Sequence, residues 1–241
     1  MKNITEGIYM SPGIDEMIPD SHMYLIGMPG SGDLTLVDAG LIGKGAHKLS
    51  SVTEGGIALE DIKRIIMTHT HLDHIGCLHE MIGKMPWVEL WVHESEGEQL
   101  EKGDERTVYG MAMFKSMCQS QYRLKDGDYK LKVHRKLHDG EELEIGGMTW
   151  NVVHIPGHSM GSIGLYHRPL KILIPGDVVY ADYAIGRYDL HGADPAGLRQ
   201  SLMRLAELEV EVLLPGHNQI VKSLPKGYVL KTAKQWESYL R

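Results

Sequence analysis

An apolar run that ends at Thr68 opens, within the six positions from His69 to His74, into three histidines and an aspartate; residues 65–77 read IIMTHTHLDHIGC. Imidazoles and a carboxylate packed this densely beside an apolar run are costly to bury unless something binds them. The run must therefore be a strand whose end delivers polar side chains to one place. In an extended exit side chains alternate, so His69, His71 and Asp73 project to one side. His74 joins them only if the chain turns there, and Asp73 followed by HIGCLHEMIG offers a helix entry. Neutral imidazoles with a carboxylate, and no thiolate, suit zinc, manganese or iron. A buried structural histidine accounts for any one of these residues and does not account for the set.

Other strand exits repeat the pattern. Two Pro-Gly-His tripeptides, ending at His158 and His217, each follow a strand-like run (TWNVVHI and VEVLL), and IPGD, ending at Asp177, follows a third. Pro-Gly alone is an ordinary turn. Three exits that end in a ligand-type residue, added to the first stretch, make a metal site the leading reading. The chain carries 14 histidines. Of the others, His22, His47, His79, His93, His134, His138, His154 and His167 match no such position and are read as surface or structural side chains. His191 lies in the loop AIGRYDLHGADP after Asp177, near enough for a substrate contact.

The 241 residues, 42% hydrophobic and 24% charged, suffice for a sizeable core, and no composition shift divides them. One globular domain over 1–241 is expected. A net charge of −7 repels phosphates, so a non-specific nucleic-acid partner is disfavoured and a small-molecule substrate is preferred. The first residues lack the apolar core of a signal peptide and no run of about 18 apolar residues occurs, so the expectation is a cytoplasmic protein without a membrane partner. Cys77 and Cys118 make no disulfide framework and no Cys-x-x-Cys pair.

Short apolar runs separated by Gly, Pro and Asp predict α and β elements in mixed order. Hairpins are expected across MPGSGD (residues 28–33), at Gly146-Gly147 and near Pro169; strands are expected over 64–68, 88–94 and 210–214. A helix should start with Asp194 as N-cap and Pro195 in the first position, and carry Leu198, Leu202, Leu205 and Leu208 on one stripe. A second helix is expected over 227–241. Residues from about 95 to 130 read as a helical insertion whose Met111, Met113, Phe114 and Met117 form either a satellite core cluster or a wall of a substrate cleft.

Taken together, VDAG from Val37, THTHLDHIG from Thr68, PGHS from Pro156, GD at Gly176 and PGH from Pro215 resemble the metallo-β-lactamase fold superfamily, in its hydrolase branch of glyoxalase II-type thioesterases and N-acyl homoserine lactonases. The resemblance runs over about residues 23–221. It implies an α+β fold, a four-layer αββα sandwich with a dinuclear site along one edge. By the same resemblance His69, His71 and His158 hold one divalent ion, Asp73, His74 and His217 hold a second, and Asp177 bridges them. Asp38, in VDAG, would steady the site from behind. Zinc is the first expectation for both ions, with manganese or iron as alternatives.

Two such ions about 3.5–4 Å apart hold a shared water as hydroxide and polarise a carbonyl or phosphoryl oxygen. The expected activity is hydrolysis of an ester, lactone or thioester, with Asp73 doubling as proton shuttle. No Gly-x-Ser-x-Gly elbow is present and neither cysteine adjoins a base, which disfavours a protein nucleophile. Tyr180 stands where the lactonases carry a tyrosine able to hydrogen-bond the substrate oxygen, with a buried core tyrosine as the competing reading. The glyoxalase-type enzymes add a C-terminal helical region that grips glutathione; the short stretch after His217 disfavours a glutathione thioester. Two rivals stay open. One is a mononuclear iron dioxygenase of the persulfide type on His69, His71, His158 and Asp177. The other is a non-hydrolytic redox or binding member like the flavodiiron proteins, against which His71 and the chain length count.

Overall fold

The computed structural model describes residues 1–14 and 19–241. Seven strands form one sheet in chain order: β1 (Lys2–Thr5), β2 (Ile8–Ser11), β3 (Met23–Ile26), β4 (Leu34–Val37), β5 (Ile62–Ile66), β6 (Glu89–His93) and β7 (Arg135–Leu137). The first four pair antiparallel and β4 to β7 pair parallel. Five strands form the other sheet in the reverse of chain order: β8 (Glu142–Ile145), β9 (Met148–His154), β10 (Ile163–His167), β11 (Ile172–Ile174) and β12 (Val212–Leu213). Only β11–β12 is parallel there.

Side-chain alternation turns these sheets into four layers. In β3, Tyr24 and Ile26 enter the core between the sheets with Trp150, Val152, Ile172 and Ile174, whereas Met23 and Leu25 enter a second core on the outer face. That outer core is covered by α1 (Gly45–Glu54) and α3 (Leu78–Lys84), which contribute Leu49, Val52 and Met81. On the far side Val153 and Leu173 turn away from the central core to meet α7 (Pro195–Leu205) and α8 (Tyr228–Trp236) through Leu198, Leu202, Val229 and Ala233. Burial on both faces explains why β3 reads as a continuous apolar run and β4 as one interrupted only by Thr35. The result is the expected α+β, αββα sandwich.

Local signals set several boundaries. The Asp194 side chain caps α7 by accepting the Ala196 N–H at 3.1 Å, with Pro195 as the first helical residue. The helix stops at Leu205, so Leu208 is half-buried beyond its end and not on the expected stripe. Gly146 and Gly147 take positive φ (59° and 76°) in the tight β8–β9 hairpin. The strand expected over 64–68 lies at Ile62–Ile66, because Thr68 leaves the ladder to bond Asp38. The antiparallel pair β1–β2 has no counterpart in the sequence pattern; with four residues per strand, its alternation is too short to read. The region after β6 carries three helices, α4 (Glu94–Lys102), α5 (Arg106–Tyr109) and α6 (Ala112–Tyr122). Among the described residues no helix is long and apolar enough to cross a membrane.

Candidate metal centre

Beyond β5, Thr68 donates to Asp38 twice, its N–H to Oδ1 and its hydroxyl to Oδ2, both at 2.8 Å. His71 is still extended and occupies the position just before α2 (Leu72–Ile75), without a side-chain capping bond. The helix thus begins one residue before Asp73 and not after it. This corrects the extended-exit reading: His69 and His71 share a side, but the turn at Leu72 swings Asp73 away from them and toward His74. His74 Nδ1 meets Asp38 Oδ2 at 2.9 Å, which leaves Nε2 free to face the site.

The exits of β9, β11 and β12 bring in the remaining residues, and two groups form. His69, His71 and His158 make one; Asp73, His74, Asp177 and His217 make the other, and within each group the ligand-type atoms lie within 4.8 Å of one another. His69 Nε2 and His158 Nε2 are 3.2 Å apart, with the three rings of the first group nearly perpendicular in pairs. In the second, His217 Nε2 lies 3.0 Å from Asp73 Oδ2 and 3.4 Å from Asp177 Oδ2, and His74 Nε2 lies 3.3 Å from Asp177 Oδ1. Asp177 Oδ2 is also 3.8 Å from His158 Nε2, so this one carboxylate stands between the groups. All seven predicted ligand positions come together. Gly216 is required beside them: a Cβ there would meet Asp177 Oδ1 at 2.2 Å and His74 Cε1 at 2.6 Å.

Charge distinguishes the groups. Burial, then the neighbouring imidazoles, holds His69 well below the ordinary histidine range and His71 down to about 3; burial also lowers His158. In the second group burial works against the charged forms and is outweighed. Asp177 and Asp38 push His74 up, Asp177 and Asp73 push His217 up to about 10, and those imidazoles hold both carboxyls down. The donor set fits divalent cations: seven nitrogen and oxygen ligands without a thiolate, imidazole nitrogens facing each other, and a buried His71 Nε2 with no hydrogen-bond partner.

The site opens into a cavity of about 680 Å³. Its lining combines His71, Asp73, His158, Asp177, His217 and Tyr180 with the apolar side chains of Leu72, Val108, Met111, Phe114, Met117 and Ile185. Met113 faces solvent at 79% exposure and takes no part. Tyr180 is buried with its ring 6.5 Å from that of His217, and burial followed by the Asp177 carboxylate raises its phenol well above the usual range, so it remains a donor. His191 lies elsewhere. It lines a neighbouring cavity with Glu105 and Lys115, and its backbone N–H bonds Gly110 O, so it is not among the residues lining the cleft beside the ligand groups.

Several supports have no sequence signal. The Arg187 carbonyl accepts from His158 Nδ1 at 2.7 Å, the Tyr24 hydroxyl donates to Pro215 O at 2.6 Å, and His22 Nε2 meets Asn218 O at 2.7 Å. These pairs are joined only by the closed fold, and the last two brace the loop that carries His217.

The sequence profile of the Metallo-beta-lactamase superfamily matches residues 19–217. This chain belongs to the metallo-β-lactamase superfamily. Among the superfamily's curated members, human acyl-coenzyme A thioesterase MBLAC2 is 31% identical over 158 residues, 63% of this chain and 54% of that protein, so the match spans about half the relative's length. The protein named probable metallo-hydrolase MJ0888 from Methanocaldococcus jannaschii is 32% identical over 201 residues, 80% of this chain and 86% of that one. The crystal structure of TTHA1623 in a di-iron-bound form superposes with a TM-score of 0.64 at 28% identity, covering 83% of this superfamily member and 89% of that chain.

Proposed function

We propose that this superfamily member is a metal-dependent hydrolase of an ester, lactone or thioester whose acyl group is apolar. The observation that carries the proposal is the pair of ligand groups meeting at Asp177 in a cavity whose lining also includes Val108, Met111, Phe114 and Met117. In this reading His69, His71 and His158 would hold one ion and Asp73, His74 and His217 another, with the Asp177 carboxylate, which stands between the groups, available to either. A bound pair of divalent cations supplies Lewis acidity toward a carbonyl oxygen and lowers the pKa of water. Asp38 keeps the His74 ring oriented through the 2.9 Å contact at Nδ1. Asp73 keeps partial access to the cleft, at 22% side-chain exposure, and carries the proton from attacking water to the leaving group. The Tyr180 hydroxyl donates to the oxygen that gains charge. Val108, Met111, Phe114 and Met117 receive the acyl group and exclude water from it.

The likeness to MBLAC2, an acyl-coenzyme A thioesterase, supports a thioester within this set, and the di-iron form of TTHA1623 keeps iron beside zinc and manganese as the resident metal. Metal content per chain, measured on protein purified without added metal, is expected to reach two divalent ions. The same preparation should hydrolyse members of a panel of lactones, p-nitrophenyl esters and acyl thioesters. One iron at full occupancy with no hydrolysis of any carbonyl substrate would replace this reading with the mononuclear dioxygenase.

A further inference from the structure

The loop that carries Tyr180 has a backbone it should not hold unaided. Asp182 and Tyr183, consecutive residues with a Cβ, both take left-handed φ values, 57° and 58°. That region is sparsely populated for such residues and persists where surrounding contacts over-determine it. The loop closes on itself through the Val179–Ile185 bridge and the Tyr180 N–H to Ala184 O bond at 2.9 Å. It then returns to the site, where the Arg187 carbonyl accepts from His158.

What holds it is helix α8. The buried Tyr228 hydroxyl donates to Tyr180 O at 2.9 Å and accepts the Tyr183 N–H at 2.7 Å, so one oxygen satisfies both ends of the strained turn. The Trp236 indole N–H donates to Tyr183 O at 2.8 Å. The Tyr183 ring stacks on Tyr228, with centroids 4.5 Å apart and planes within 18°, and Lys231 Nζ lies 4.2 Å from the Tyr183 ring centroid. Neither Tyr228 nor Trp236 lines the cleft. Both act on the main chain at Tyr180 and at Tyr183 just after it, and Tyr180 lines the cleft beside Asp177 with its ring 6.5 Å from that of His217.

We infer that Tyr228 and Trp236 form a positioning clamp: α8 holds the 180–183 turn in its left-handed form and so sets the Tyr180 hydroxyl against the reacting centre. The inference rests on the role given above to Tyr180. A hydroxyl misplaced by about 1 Å can cost 10²-fold in rate. In Tyr228→Phe the stacked ring remains and both hydrogen bonds are lost. On the metal-loaded full chain, with a p-nitrophenyl ester and an acyl thioester as probes, its kcat should fall on the order of 10-fold with KM within about twofold and metal content unchanged.

The decisive measurement is the double variant. If the clamp works through Tyr180, adding Tyr228→Phe to Tyr180→Phe should cost little more, because the group it positions is already gone. An equal fold-loss in both backgrounds, an unimpaired Tyr228→Phe, or a loss of activity that tracks lost metal overturns the inference and leaves the Tyr180 assignment standing. A Tyr180→Phe variant as fast as wild type overturns both. Trp236→Phe, which removes only the indole donation from a half-buried ring, gives the same coupling test if Tyr228→Phe does not fold.

Discussion

At the scale of single residues, Asp73 and His93 illustrate how differently an ionisable group can be used. Asp73 lies 3.0 Å from His217 Nε2 and is still partly open to the cleft, and the proposed mechanism asks it for both ligation and proton transfer. Asp73→Asn preserves shape while removing the proton acceptor. Hydrolysis should fall by roughly 10²-fold or more while metal on the His69, His71 and His158 group is retained. Turnover near that of wild type in a steady-state assay would reassign the shuttle. His93 belongs to no metal group. It stacks on His154, with centroids 3.9 Å apart, and its pKa is held down to about 4, by burial first and by His154 next. The unfolded imidazole titrates near 6.5, so the unfolded chain takes the proton first and folding loses stability as pH drops from about 6.5 toward 4. Above that window the group contributes no pH dependence. His93→Asn keeps a side-chain acceptor for the Ser95 N–H at the start of α4 and removes the titration. The drop in Tm between pH 7 and pH 5 should therefore be smaller in the variant, by a few degrees, than in wild type.

Single elements show which parts of the structure are legible in the sequence. The strand exits are, because period-two alternation and a Pro-Gly turn are local facts: HTHLDH, IPGD and the two PGH tripeptides identify every side chain found in the two ligand groups. The start of α7 is equally local. What escapes the sequence are geometries that depend on where a helix begins or what closes over it. The register of α2 moves Asp73 from the His69 side to the His217 side. The bond from the His191 N–H to Gly110 O, between α5 and α6, places His191 in a neighbouring cavity that shares Tyr109 and Met111 with the cleft. The same α6 resolves the alternatives for the Met-rich run residue by residue, since Met111, Phe114 and Met117 line the cleft while Met113 points to water. Unbranched, polarizable side chains make such a wall adaptable. Met117→Ala should raise KM for a medium-chain acyl substrate roughly fivefold, leave kcat nearly unchanged and relax the limit on acyl size. A substrate panel in which the chain-length profile does not move would mean that the acyl group lies elsewhere.

Across the whole molecule, the ligand groups are divided between the two sheets. His69, His71, Asp73 and His74 follow β5 of the larger sheet, whereas His158, Asp177 and His217 follow β9, β11 and β12 of the smaller one. Each group draws on both sheets, so ions held there would tie the sandwich together along one edge. The tie meets a real need. Buried there are four imidazoles and the Asp177 carboxylate with few neutral partners, and elsewhere the sheets meet mainly through apolar contacts such as Trp150 on the Tyr24 layer. No local stretch reveals this cross-link, because it appears only when strands far apart in the chain are laid face to face. Its consequence is measurable. A ligand that binds the folded state alone stabilises it by about 4 kcal/mol when its free concentration is 1,000 times Kd. For a chain of 241 residues that corresponds to a Tm difference of roughly 10 °C between loaded and chelator-treated protein. Differential scanning calorimetry on both forms, with elemental analysis proving the treated sample free of metal, checks it. An unchanged Tm would mean that the apolar layers alone hold the sheets in register and that the ions are dispensable to the fold.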